Sequence, residues 1–520
     1  VFVVAALALL PYLGAENVWS KDEARDGLVA REMVERGHWL IPHLGGQIYH
    51  YKPPLFHWLV ASISSRGVTE WTLRLPSVMA AAATAALTCA IGARLGSTLT
   101  GLVAAAMLLS SWSFVEWARI GRLEMVLLAW LTLAFWSGLA WLQDGRRRHA
   151  VVLGLALGLG CLTKGPVGLA PLGILLVALA LLRRWPRRAT ADLGLALALA
   201  IALPAAWLGL AAVNHAPAGE YLRAVVTRFA VEVRVSRDQH PLFAPEAIAV
   251  GFVPWTLILP GALVVLIRRW RASWRGLVLP LVWAGFILVT FTLVLSPRAV
   301  YFLPIFPPLA LLVGWAWTVS SSAERRWMLG LLGATAATFF LAGVDLTIWP
   351  LTIEWKRQVT VLTRGLGVVV ALTAAGAGLG LLALVRRRRT DAAPLVVAVA
   401  ALVVLIVIQI VVRAPRSNLA FPTREVAARF AALVPPDAEV AFMDLKFTTG
   451  IMFYTPRQRI EWPAMPSAAE MEEHPGRYAL LPLEIMGVVW YGCAIPPPLH
   501  EETVFGGRYA LYNSVKPLCP

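Results

Sequence analysis

Two early stretches of the chain carry side chains able to do chemistry. The segment W-S-K-D-E-A-R-D-G-L-V-A-R-E-M sets Asp22, Glu23 and Arg25 directly after an apolar run that ends near Trp19, and Y-H-Y-K-P-P-L further on supplies Lys52. Similar residues recur at later boundaries of apolar runs: Arg119, Arg122, Glu124, Lys164, Arg228, His240, Arg298 and Tyr301. In a chain this apolar, carboxylates interleaved with cations at the mouth of an apolar run have to be explained by chemistry or by solvation, and their grouping favours chemistry. Each residue also has a plainer role open to it. Asp22 can be a solvated interfacial acid or a helix cap, Lys52 a snorkelling lysine, and Glu124 the partner of Arg119 or Arg122. Lys164, in a sharp Gly-Pro turn, suits a phosphate or a lipid headgroup. A lone His240 without a nearby set of carboxylates or thiols is a weak metal signature.

The elements that must position these residues are membrane helices. The chain is 58% hydrophobic and only 15% charged, with a mean hydropathy of +0.69. A polytopic membrane protein follows. A crossing helix needs about 20 apolar residues, and thirteen such runs are legible: 1-19, 75-93, 97-115, 123-142, 149-163, 166-182, 191-213, 247-267, 276-295, 300-319, 328-348, 361-385 and 392-412. The link T-K-G-P between 149-163 and 166-182 is short enough to be a kink in one long helix instead. The first run is too long for a signal peptide and lacks a small-residue cleavage site. Because residue 1 is Val rather than Met, the natural N-terminus is expected upstream.

A net charge of +16 fits either a nucleic-acid surface or membrane topology. Its distribution decides for topology. Basic clusters at 146–148, 183–188, 268–275, 325–326 and 386–389 all fall on one side of a thirteen-span arrangement, which the positive-inside rule makes cytoplasmic. The N-terminus is then inside and the C-terminus outside, and a nucleic-acid partner is unnecessary. Loops 20-74, 116-122, 163-165, 214-246, 296-299 and 349-360, with the tail after Arg413, face outward and hold nearly all the unusual charges. Charge at a membrane boundary is costly unless paired or hydrated, so one external active site is the economical explanation.

Within the first loop, Ala24, Leu28, Val29, Met33 and Val34 recur at helical spacing, which predicts an interfacial helix ended by Gly37. A second interfacial segment follows Lys52-Pro53-Pro54. Two domains are expected: 1-412, transmembrane and including the first loop, and 413-520, a small soluble external α/β domain with a helix at 423-433 and strands at 438-443, 457-461, 477-481 and 508-513. Cys89 and Cys161 lie in apolar runs as packed thiols. Cys493 and Cys519 lie in the tail, where a disulfide is possible chemistry outside the cytoplasm.

The ordered motifs D-E-A-R, A-R-E-M, G-x-W-L-x-P-x-L-G-G, Y-K-P-P-L, R-L-P-S, A-R-I-G-R-L-E-M, T-K-G-P and R-A-V-Y-F-L-P-I-F-P-P-L-A-L-L run from Trp19 to about Leu312. In this order the chain resembles the bacterial aminoarabinose transferase (ArnT) family, relatives of protein O-mannosyltransferases among the membrane-embedded GT-C glycosyltransferases. The resemblance implies an all-α GT-C fold. It also implies a sugar taken from a polyprenyl-phosphate donor on the periplasmic face of a bacterial inner membrane and passed to a lipid A-like lipid or another envelope acceptor. By resemblance Asp22 is the first-loop catalytic aspartate and Glu124, where many members have Asp, a second catalytic carboxylate. Arg25 and Lys52 match phosphate-facing cations, and Arg298 with Tyr301 matches the family's R-x-x-Y. Glu23, Arg122 and Lys164 join them as substrate-binding candidates, and His240 sits about where some members place a metal or donor ligand. No cofactor is required, and a divalent metal is an open option. Tyr51 stands where aminoarabinose transferases usually have a metal- or donor-contacting Glu, which weighs against a bound metal and against aminoarabinose as the sugar. A transporter or flippase would show inverted repeats and midplane charges, and the sequence shows neither. A protein O-mannosyltransferase-like enzyme acting on a peptide hydroxyl is the alternative within the class.

Overall fold

The structure, a computed structural model, describes residues 1–18, 20–49, 51–214, 223, 242–293, 298–348, 356–435, 437–443, 448–455, 458–462, 478–482, 497–504 and 507–513. The chain divides into two compact units. One comprises 1–11, 51–53 and 76–412; the other comprises 12–50, 54–75 and 413–520.

The first unit is helical. It begins with α1 (Phe2–Leu9); after α2 and α3, which belong to the second unit, come α4 (Glu70–Leu95), whose part from Pro76 lies here, α5 (Thr98–Leu109), α6 (Trp112–Ala118), α7 (Leu123–Asp144) and α8 (Arg147–Lys164). Among the described residues nine helices are long and apolar enough to cross a membrane, or up to eleven if each of two bent pairs counts as one crossing. The chain is a multi-pass membrane protein. The helical part of the first apolar run is only the eight residues of α1. Runs 149-163 and 166-182 fall in one stretch, Arg147–Leu182, broken by a 3-10 turn at Gly165–Leu169. Straight, its 36 residues would measure about 54 Å, far more than the roughly 30 Å of a hydrocarbon core. The chain bends instead: Gly165 takes a φ of +65°, and Gly168 comes so near the end of α8 that a Cβ on it would lie 2.3 Å from Cys161 N.

Two runs that read as straight spans are broken. α5 and α6 meet at 68°, and Phe243–Gly251 meets Trp255–Arg268 at 108°. Backbone groups freed within a membrane must find partners in the protein, and these two breaks supply one another. Trp112 N donates to Val253 O at 3.0 Å, and Trp255 Nε1 donates to Ser110 Oγ at 3.0 Å.

Ion pairs lace the basic helix ends. Arg94 and His149 both reach Asp144, at 3.0 and 3.1 Å, Trp141 Nε1 donates to Asp192 at 3.0 Å, and Glu324 takes Arg268 and Arg269 at 3.4 and 3.2 Å. Asp144 closes α7, whereas Glu124 opens it.

In the second unit, α2 (Lys21–Arg36) is capped by Ser20, whose Oγ accepts from Glu23 N, and ends at Gly37 with φ +74°. The C-terminal limit agrees with the sequence pattern, and the cap is Ser20 rather than Asp22. The hairpin β1 (His43–Leu44) and β2 (Gln47–Ile48) follows, then α3 (Leu55–Ser62) after the Pro-Pro pair. The tail forms a five-stranded sheet in the order β4-β3-β5-β7-β6. Its strands are β3 (Glu439–Met443), β4 (Gln458–Trp462), β5 (Tyr478–Pro482), β6 (His500–Val504) and β7 (Gly507–Asn513). β3 pairs in parallel with β4 and β5, while β5, β7 and β6 run antiparallel. Helix Thr423–Leu433 falls where expected. Strand β6 and the short helix Thr448–Tyr454 are additions to the sequence reading.

Candidate active site

In the first unit, Arg122 and Lys164 both bond Glu124. This carboxylate sits in the opening turn of α7 and is 6% exposed. Arg122, two residues earlier, grips it with two bonds, Nε to Oε2 and Nη2 to Oε1, both 3.1 Å. Ser77 Oγ donates to Arg122 O and accepts from Arg122 N, so the backbone at this turn is held on both sides. From the C-terminal turn of α8, Lys164 Nζ reaches Glu124 Oε1 at 3.3 Å and lies 4.7 Å from the centroid of the Tyr301 ring. The field of the Lys52 ammonium also acts on Glu124. Lys52, Arg122, Glu124, Lys164 and Tyr301 therefore form one cluster. Tyr301 is placed by a 3-10 segment, Ala299–Ile305, that begins after the extended and exposed Arg298.

Arg119 serves a different end. Its guanidinium donates to Leu9 O and Pro11 O, so it caps α1 rather than pairing with Glu124. A cation at a helix C-terminus meets the orphan carbonyls and the negative end of the dipole.

In the second unit, Asp22 accepts from Arg25 Nη2 at 2.5 Å, with side chains 21% and 8% exposed. The acid thus stays reachable while the cation that orients it is buried. Arg25 lies 5.9 Å from the Tyr49 ring centroid. Because Ser20 caps α2, Asp22 is relieved of that plainer role. Glu23, assigned by sequence to substrate, is turned inward instead. Its two oxygens take Arg74 Nε and Nη2 at 2.7 and 3.2 Å, and both side chains are nearly inaccessible. Arg74 also donates to the carbonyls of Leu13 and Glu16, at 3.0 and 2.8 Å. Sequence reasoning passed over this arginine although R-L-P-S contains it. It also passed over the buried pair Asp26–His57, at 3.1 Å, and the grip of Glu32 on the amides of Gly45 and Gly46.

His240 and Arg228 lie outside the described residues, as do Cys493 and Cys519. Among the described residues no group of three or more His, Cys, Asp or Glu side chains is placed to hold a metal ion.

Comparison with known proteins takes up this geometry. Residues 51–207 match the family model described as dolichyl-phosphate-mannose-protein mannosyltransferase. The crystal structure of ArnT from Cupriavidus metallidurans bound to undecaprenyl phosphate superposes with a TM-score of 0.77, covering 98% of this chain and 97% of that one at 19% identity. This chain has the fold of that structure. The ArnT fold extends over nearly its whole length, tail included. Archaeal oligosaccharyltransferase AglB from Archaeoglobus fulgidus shares the fold more distantly, with a TM-score of 0.51 at 12% identity, over 98% of this chain and 74% of that one. In sequence, the undecaprenyl phosphate-alpha-4-amino-4-deoxy-L-arabinose arabinosyl transferase of Pectobacterium carotovorum is 30% identical over 335 residues, and that of Pectobacterium atrosepticum 31% over 334, each alignment covering 61% of this chain. The chain spans about 58% of the length of these relatives.

Proposed function

We propose that this protein is a membrane glycosyltransferase that takes a sugar from a polyprenyl-phosphate donor and passes it to a lipid A-like or other envelope acceptor. The observation that carries the reading is the pairing of Arg122 and Lys164 with the buried carboxylate of Glu124, on which the charge of Lys52 also acts. Like charges gathered this closely repel; the phosphate diester of the donor arriving among them relieves that repulsion, and the polyprenyl phosphate monoester that departs is stabilised there as the leaving group. The names of the arabinosyl relatives supply the donor class. In the reaction, an acceptor oxygen attacks the anomeric carbon, the bond from that carbon to the phosphate oxygen breaks, and its electron pair leaves on the phosphate. Lys52 and Lys164 bind the departing phosphate, with Arg298 and Tyr301 as further donor contacts. Asp22 takes the proton of a hydroxyl acceptor or steadies the positive charge developing on the sugar, and Arg25 orients it. Glu124 sets the spacing of the cations.

The topology belongs to the same proposal. Thirteen crossings arise when α1 and its following turn, both bent pairs, and both arms of Arg147–Leu182 are each counted as crossing. The N-terminus is then cytoplasmic, and the first loop and the tail face the periplasm of a bacterial inner membrane. A reporter fused after residue 413 that is active only in the cytoplasm would overturn this arrangement.

A peptide hydroxyl as acceptor is favoured by one observation, the match of residues 51–207 to the protein mannosyltransferase model. Mass spectrometry of lipid A and of envelope glycoproteins, from cells with and without the gene, separates the two. A lost sugar on lipid A supports the first acceptor and a lost protein glycan the second. No change in either, with no transfer from undecaprenyl-phosphate sugars in reconstituted membranes, would sink the transferase reading.

A further inference from the structure

The stretch that leads into α2 is built on the C-terminal region. Asn17 N donates to Asn418 Oδ1 at 2.6 Å, and Ala15 O accepts from Asn418 Nδ2 at 2.8 Å. Val18 N donates to Tyr454 Oη at 2.7 Å, and Val18 O accepts from Thr423 Oγ1 at 3.0 Å. Four main-chain groups between Ala15 and Val18 are thus closed by side chains 401 to 436 positions later in the chain. Tyr454 Oη in turn donates a hydrogen bond to Glu70 Oε1 at 2.7 Å. Burial, reinforced by the Glu70 charge, raises the pKa of this phenol, so it remains a donor at neutral pH.

The residue before it makes a second hold on the same helix. The Phe453 ring lies so close to α2 that a Cβ on Gly27 would stand 2.6 Å from its Cε2, and Arg31 covers the ring at 5.0 Å. Consecutive residues of one short helix therefore fix the entry to α2 at Val18 and its middle at Gly27. Asp22 lies between the two holds.

We propose that the Thr448–Tyr454 helix is a positioning element for transfer, with Tyr454 and Phe453 setting the placement of Asp22 by clamping both sides of its turn. The proposal rests on the reading that Asp22 takes part in the reaction. A main chain tied at both flanks holds a carboxylate to within the few tenths of an ångström that catalysis requires, and misplacement by 1 Å costs up to about a hundredfold in rate.

The test uses the full chain in lipid nanodiscs, with undecaprenyl phosphate-4-amino-4-deoxy-L-arabinose or whichever undecaprenyl-phosphate sugar shows transfer. Tyr454→Phe deletes the hydroxyl and keeps the ring; Asn418→Ala releases the same segment from a different residue, and Asp22→Asn is the reference. Turnover per folded molecule should fall roughly tenfold in both clamp variants with donor KM changed less than about twofold. Amide exchange over residues 18–30 should quicken, while that over the Glu124 turn stays as in the parent. If both clamp variants turn over at the parental rate per folded molecule while Asp22→Asn is inactive, the inference is wrong and the contacts serve stability alone. A rise in donor KM with kcat preserved also overturns it. If Asp22→Asn itself turns over normally, it is the first-loop reading that fails.

Discussion

The acids of the first loop and the acid at the head of α7 are used in opposite ways. On α2 each carboxylate has its own partner: Asp22 has Arg25, Glu23 has Arg74, Asp26 has His57, Glu32 has the amides of Gly45 and Gly46, and Glu35 has Arg31 at 3.9 Å. At α7 one carboxylate, Glu124, is shared between Arg122 and Lys164, and the charge of Lys52 acts on it as well. Matched pairs hold a helix in place. A shared acid gathers cations at one point, which is what recognition of a phosphate needs. Within the set, Asp22 at 21% and Glu35 at 52% keep appreciable exposure, against 3% for Glu23 and Asp26, and of the two only Asp22 lies in the D-E-A-R motif.

The comparison can be broken most sharply at Glu23. Glu23→Gln leaves the buried Arg74 without its counter-charge and should cost about 3–5 kcal/mol of stability. This should appear as a lowered unfolding temperature in detergent, with turnover per surviving folded molecule unchanged. Parental stability combined with lost donor binding would return Glu23 to the substrate. Next in size, Lys52→Met should cut the donor-limited rate by about a hundredfold or more, with Lys52→Arg keeping part of it. Parental turnover of Lys52→Met at limiting donor would show that the phosphate is held elsewhere. Asp22→Asn keeps the shape of the side chain and should lower kcat by about a hundredfold with normal membrane expression. Glu124→Gln is expected to cost roughly tenfold in kcat through loss of cation spacing, with Glu124→Asp closer to the parent. A larger loss in Glu124→Asp than in Glu124→Gln would argue for reach rather than charge. The smallest effect belongs to Tyr301: Tyr301→Leu removes the face under Lys164 and should weaken donor binding by about 0.5–1 kcal/mol, whereas Tyr301→Phe keeps it. Equal losses in the two would assign the hydroxyl, not the ring, to the donor.

Much of this was legible in the sequence because it is local. Gly37 marks the end of α2, the apolar residues before it mark its buried face, and the Arg122, Glu124 pair reads directly from R-L-E, whereas the cap fell to Ser20 rather than to Asp22. What the sequence withheld is long-range partnership. Nothing near Glu23 announces Arg74, 51 positions away, so an acid in a catalytic-looking motif passed for a substrate ligand. Arg119 looked like a site cation because the carbonyls it bonds, Leu9 O at the end of α1 and Pro11 O in the turn after it, lie 110 and 108 positions earlier. The bends in 97-115 and 247-267 were hidden for another reason. Ser110, Ser111 and Val253 are compatible with an apolar run, and only their meeting in space makes a break tolerable.

That meeting orders events in the making of the protein. The break between α5 and α6 is completed by groups from Val253 and Trp255, and the Ser110 to Trp255 bond spans 145 positions. While the ribosome is still supplying the intervening chain, the α5–α6 segment has already emerged and still lacks these partners. Its first half cannot settle in its final bent form until the later segment inserts beside it. The two broken helices are therefore a single late assembly step, although the sequence delivers them far apart, and a chain halted between them would leave the membrane holding half of a joint.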